Sequence, residues 1–228
     1  MLNMIKLDWL GMKYYWVRII IIPLSFCLMG LLSEAIVIPL LSFFMLSFSV
    51  NPFAVEEKGK LDHLYLTLPV TRKTIVNARY GLSLIMLFAG IVFGAFLTIL
   101  MSKLLYGKTV FFEHNFQADF ATMFLLICVS LLLYAIMNLS MFPILFKIGY
   151  AKGKALGFYI PVGVSTAVIY FFIFLWNYNY SIRDRLISVF EWSLANTVWA
   201  AVIILTASVI FFSVSYVLSQ RVYSRREF

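Results

Sequence analysis

Long apolar blocks alternate along the chain with short clusters of charge. From Ile19 to Val55 the only charged residue is Glu34. One straight helix of that length would run about 55 Å, well past a hydrocarbon core of roughly 30 Å. The block must therefore fold back, with Ser33-Glu34 as the natural turn, and the pattern predicts a tight hairpin of spans over 17–32 and 35–53, the second open to bending at Pro39. Four further spans follow, over 75–102, 120–146, 155–177 and 196–219. Ahead of them, Leu2, Ile5, Leu7, Trp9, Leu10, Met12 and Trp16 interleave with Asn3, Lys6, Asp8 and Lys13. That spacing predicts an amphipathic helix over 1–16 lying in the membrane interface, the alternative being a frayed extension of the first span.

Composition makes the membrane reading firm. Of 228 residues, 63% are hydrophobic and 12% charged, and the mean hydropathy is +0.97; a soluble domain carries about a quarter charged residues. No stretch alternates polar with apolar residues as a barrel strand would, so an all-α integral membrane protein is expected, one transmembrane domain over 1–228. Lys6, Asp8 and Lys13 interrupt the first residues and no small-residue cleavage site follows the first apolar block, so the first span is expected to stay in the mature protein. The net charge of +8 has a topological explanation. With the N-terminus inside, 14 of the 18 basic residues fall on inner segments, leaving Lys103, Lys108, Arg183 and Arg185 outside. This asymmetry places both termini in the cytoplasm and needs no nucleic acid to account for it.

Several chemistries are not indicated. The ten acidic residues fall in predicted loops, turns or termini, so no intramembrane carboxylate pair suggests proton coupling. The run Gly149-Tyr150-Ala151-Lys152-Gly153-Lys154-Ala155 is one residue short of a phosphate-binding loop and lacks its hydroxyl. His63 and His114 are solitary and on opposite sides, and Cys27 and Cys128 sit deep in apolar blocks, so no metal site or catalytic dyad is expected and the chain is not read as an enzyme. Gly90 and Gly94, and Gly149, Gly153 and Gly157, recur every four residues; each run marks either a close helix contact or chance.

The densest charge lies between the second and third spans, in the predicted inner loop 54–74. Leu61, Leu64, Tyr65 and Leu68 recur at i, i+3, i+4 and i+7, which predicts a short helix from about Glu56 with one apolar face, Asp62 and His63 turned away, and Glu56 and Glu57 at its favourable N-terminal end. Pro69 ends it, and Thr71 is positioned to cap the next helix, with Val70 and Ile75 spaced as a hydrophobic staple. Arg72 and Lys73 then stand in a first helical turn, where the macrodipole disfavours cations. Either anionic headgroups or an acidic partner surface must compensate. A short helix braced between two spans would act as a lever, or else simply lie on lipid.

The run Leu64-Tyr65-Leu66-Thr67-Leu68-Pro69-Val70-Thr71-Arg72-Lys73, preceded by Glu56-Glu57 and followed by Ala78-Arg79-Tyr80, resembles the signature of bacterial ABC-2-type permeases, the six-span membrane subunits of ATP-binding-cassette exporters. The resemblance implies a multi-pass protein of the bacterial cell membrane with a coupling helix between spans two and three. That helix would dock on a separate cytoplasmic ATPase subunit through Leu61, Asp62, His63, Leu64, Tyr65 and Leu68, flanked by Glu56, Glu57, Pro69, Thr71 and Arg72. It further implies a homodimer of permeases paired with two ATPases, ATP and Mg bound by those partners and no cofactor bound by this chain. The short outer segments resemble the subunits that export phenol-soluble modulins and other amphipathic peptides, which implies peptide cargo, with Asn138 as a candidate lining residue. Lipids or hydrophobic drugs would suit the same apolar spans, and a membrane scaffold or sensor that recruits a cytoplasmic partner is the reading from another class.

Overall fold

The computed structural model describes residues 2–11, 37–59, 71–105, 120–178, 184, 185, 187, 188, 192, 193 and 195–225. Among these, six principal helices are found: α1 Leu2–Gly11, α2 Val37–Gly59, α3 Arg72–Leu105, α4 Phe120–Ile148, α5 Tyr150–Tyr178 and α6 Thr197–Ser224. Helices α2, α3, α4 and α6 include stretches long and apolar enough to cross a membrane, and α5 equals α4 in length at 29 residues. The predicted first span, 17–32, lies outside the described residues.

From α2 to α6, helices consecutive in the chain alternate in direction. Gly94 and Gly90 of α3 pack on Ile38 and Ser42 of α2, while Arg79 meets Glu56 at the far end of the same pair. Tyr80 contacts Ser215 and Arg72 contacts Ser224, so α3 and α6 are also antiparallel. Helices α4 and α6 run parallel, from Asn138 beside Ser215 to Phe146 beside Tyr223. The C-terminal ends of α2, α4 and α6 and the N-terminal ends of α3 and α5 therefore gather at one end of the bundle, and Asp8 brings α1 to that end as well. Val37 packs with Leu97 at the opposite end.

Both glycine repeats are used within the chain. A Cβ on Gly94 would lie 3.1 Å from Ile38 Cα, and one on Gly157 would lie 3.2 Å from Met141 Cα, so the missing side chains let α3 approach α2 and α5 approach α4. Between these contacts an aromatic core fills the bundle near its charged end: Phe53 meets Phe142 and Phe146 edge-on, at 5.6 and 4.9 Å between centroids.

Three sequence expectations need correction. The second span does not stop at residue 53; α2 runs on through Pro52 to Gly59, so Glu56 and Glu57 end a long helix and do not begin a short one. Phe53, Ala54 and Glu56 are buried there, and because Arg79 meets the Glu56 charge, that charge does not mark a helix end. The predicted inner loop 147–154 shrinks to Gly149 alone, whose φ of +82° reverses the chain between α4 and α5 at little steric cost to glycine. Pro39 is the third residue of the described part of α2, and Pro52 stands in its interior. In α1 the expected polar stripe is turned round: Met4 and Asp8 face inward, and Lys6, Leu7, Trp9 and Leu10 face outward. Arg79 supplies the partner that makes this orientation possible.

Candidate functional site

Helix α3 buries Ile75, Val76, Leu82 and Met86 on one stripe, and Arg79 falls on that stripe. Only 1% of Arg79 remains exposed. Its Nη2 donates to Glu56 Oε2 at 2.7 Å, its Nε lies 3.2 Å from Asp8 Oδ2, and the guanidinium sits 4.6 Å from the centroid of the Phe53 ring. One cation thus joins the N-terminal helix, the end of α2 and the start of α3. Burial pushes the Asp8 carboxyl above the ordinary 3.8, and the Arg79 charge pulls it back only in part. Such a cluster holds its helices together through charge that is costly to separate, since removing one partner strands the others away from water.

Around this knot the helix ends are tied to one another. Thr71 caps α3: its Oγ1 accepts from the Thr74 N–H at 3.3 Å, as the sequence predicts. Arg72 donates from Nη1 to the Ser224 carbonyl at 2.9 Å, setting a cation against the negative end of the α6 dipole. This contact within the chain offsets the unfavourable position of Arg72 at the start of its own helix. Glu57 reaches across to α5 and accepts from the Ala151 N–H at 2.7 Å. The expected match of a carboxylate with a helix N-terminus is present, but the helix is α5.

A second polar cluster lies deeper. Tyr134 Oη contacts Ser49 at 3.1 Å and Ser83 at 2.7 Å; Asn138 Nδ2 donates to Ser83 Oγ at 2.9 Å; Ser215 Oγ donates to Asn138 Oδ1 at 3.2 Å. Tyr80 Oη closes the set against Ser215 and Ser219, at 2.7 and 2.8 Å. All seven residues are buried, and together they join α2, α3, α4 and α6 without any charge. Arg79 and Tyr80 are adjacent, about 100° apart around α3, so one helix turn serves both clusters.

A family model described as ABC-2 family transporter protein matches residues 3–224. The chain belongs to the ABC-2 transporter family. No curated protein and no solved structure matches it. The family makes this chain a membrane permease of an ABC transporter, a class that generally works with a cytoplasmic ABC ATPase and does not itself carry the catalysis. Within this ABC-2 permease, Leu61, Asp62, His63, Leu64, Tyr65, Leu68 and Pro69 lie outside the described residues. Glu56 and Glu57 precede that segment, Thr71 and Arg72 follow it, and each of the four makes one of the ties above. Asn138, far from them, is fully buried in the neutral network.

Sequence reasoning missed the partners at both clusters. For Arg79 there was a signal: a cation on the same stripe as Ile75, Val76, Leu82 and Met86 requires a buried counter-charge. Asp8 carried none, because its neighbours Lys6 and Lys13 suggested a solvated face.

Proposed function

We propose that this ABC-2 permease is the exporting subunit of a bacterial ABC system, with six spans and both termini in the cytoplasm, working as a homodimer with two ATPases that hold ATP and Mg. Its cargo on this reading is an amphipathic or hydrophobic peptide. The observation that carries the coupling role is the clasp between the helices that flank residues 60–70 in sequence: α2 and α3 are joined by Glu56 and Arg79, and Glu57, Arg72 and Asp8 extend the tie to α5, α6 and α1. A push on the segment from an ATPase would therefore move five helix ends as one body.

Two further observations support the topology. Exposed Lys58, Arg72, Lys73, Lys147, Lys152, Arg221 and Arg225 lie at the clasped end, whereas exposed Lys103 lies toward the other, as expected if the clasped end faces the cytoplasm. Helix α1 and the start of α2 stand at opposite ends of the bundle, consistent with a further crossing between them. On this proposal Asn138 marks the cargo path, because the network around it would offer hydrogen bonds to a peptide backbone once α3, α4 and α6 part.

Leu64→Asp tests the coupling directly. The variant, which puts charge on the predicted docking face, is expected to reach the membrane at wild-type level and to abolish stimulation of ATP hydrolysis in the co-expressed partner. Unchanged stimulation together with unchanged transport would refute the coupling role and favour a non-transporting scaffold.

A further inference from the structure

The seam between α3 and α6 carries two cavities that the transport reading does not use. One, of about 180 Å³, lies at the clasped end between the first turns of α3 and the last turn of α6 and is lined by Arg72, Lys73, Arg221 and Gln220, among others. Its described lining includes three cations and no carboxylate. Arg72 is held in the wall by its bond to the Ser224 carbonyl, while Gln220 Nε2 donates to Asn77 Oδ1 at 3.3 Å, so the polar rim is built by contacts within the chain. Three cations on one concavity suit an anionic ligand.

The second cavity, of about 160 Å³, lies deeper between α3, α4 and α6, with Leu84, Leu87, Val209 and Phe212 among its walls. Its two serines are turned back on their own helix: Ser208 Oγ donates to the Ile204 carbonyl and Ser213 Oγ to the Val209 carbonyl, each at 2.7 Å. The groove therefore offers a ligand an apolar surface. The two cavities share one face of each helix. Lys73 and Leu84, Val76 and Leu87, Val209 and Gln220, and Ser213 and Ser224 are each eleven residues apart, about three helical turns. Eleven residues rise about 16 Å, close to half of a roughly 30 Å hydrocarbon core.

We infer that this seam binds one anionic phospholipid lengthwise, its phosphate against Lys73, Arg72 and Arg221 and an acyl chain in the groove beside Leu87 and Val209. Cations at headgroup depth match the phosphate, and an apolar groove at acyl depth matches the tail. A soluble phosphate would fill only the first cavity. The inference rests on the proposed inner-face placement of the clasped end for its access to anionic lipid.

Thermal unfolding of the full chain in detergent, titrated with phosphatidylglycerol, phosphatidylcholine or inorganic phosphate, tests it. Phosphatidylglycerol is expected to raise the midpoint saturably, with the other two having little effect. In the Lys73→Gln/Arg221→Gln double variant its apparent affinity should fall about tenfold or more, as expected for the loss of two interfacial cations. Equal effects of the two lipids, or an unchanged double variant, would overturn the site, and a full shift from inorganic phosphate alone would make it a free-phosphate pocket. Should the variant not fold, phosphatidylglycerol with a photoreactive acyl chain, applied to the wild type, is expected to label peptides spanning 84–87 or 205–213; labelling only elsewhere overturns the inference. Binding in detergent does not depend on orientation or on an ATPase, so failure of the lipid site and failure of the transport reading are separable.

Discussion

Arg79 and Tyr80 are neighbours in sequence that solve the same problem, polarity inside a membrane bundle, in opposite ways. Arg79 enters a charged knot with Asp8 and Glu56, and Tyr80 enters a neutral one with Ser215 and Ser219. The charged knot lies at the bundle end, where helix termini and basic residues collect; the neutral one lies deeper, where hydroxyls and one amide satisfy one another. The difference is one of consequence. A neutral network loses one modest bond at a time, with helix-to-helix hydrogen bonds in membranes averaging about 0.6 kcal/mol. A buried charge cluster fails as a unit, because losing one member strands the rest. On the coupling proposed above, stiff contacts at the clasped end would pass force between helices while weaker ones within would let the spans rearrange.

The largest effect expected from this contrast is that of Arg79→Ala, which leaves Asp8 and Glu56 buried without their cation and should destabilise the protein by about 3–5 kcal/mol. Thermal unfolding in detergent would measure it. Replacing all three residues together, as Asp8→Asn, Glu56→Gln and Arg79→Met, should recover most of the loss; a triple variant no better than Arg79→Ala would show that charge is not what the knot depends on. Asn138→Ala should cost about 1–2 kcal/mol, from two lost side-chain bonds and a small void. Tyr80→Phe keeps the ring contacts with Phe142 and Phe212 and loses only the hydroxyl bonds, for about 1 kcal/mol. If either loss matched that of Arg79→Ala, the two knots would not differ in kind.

The smallest effect is a pH dependence. Because burial raises the Asp8 carboxyl above 3.8, the folded chain binds that proton more tightly than the unfolded chain, and stability should fall as pH rises from 3.8 through the raised value. Compared with Asp8→Asn, the wild type should lose midpoint temperature through that window. A relative gain would mean that the Arg79 charge outweighs desolvation.

Much of this was legible from pattern. Helices are present over five of the predicted segments among the described residues, four of them long and apolar enough to cross a membrane, and the Thr71 cap falls at its expected position. Helix ends were harder to read. Charge reads as the mark of a loop, but Glu56 continues its helix because Arg79 meets it, and a single residue, Gly149, replaces an eight-residue inner segment because its positive φ suffices. A single chain of letters carries no record of which charges meet.

Local hydrophobicity by itself determined the class of protein and the placing of its apolar helices, because each of these is a sum over neighbouring residues. The tertiary structure decided that Asp8 turns inward, that Glu57 serves α5 and Arg72 serves α6, and that both glycine repeats seal contacts within one chain. Those pairings join residues far apart in sequence, Arg72 and Ser224 among them. Their energies depend on distance and burial, which exist only once the helices have packed.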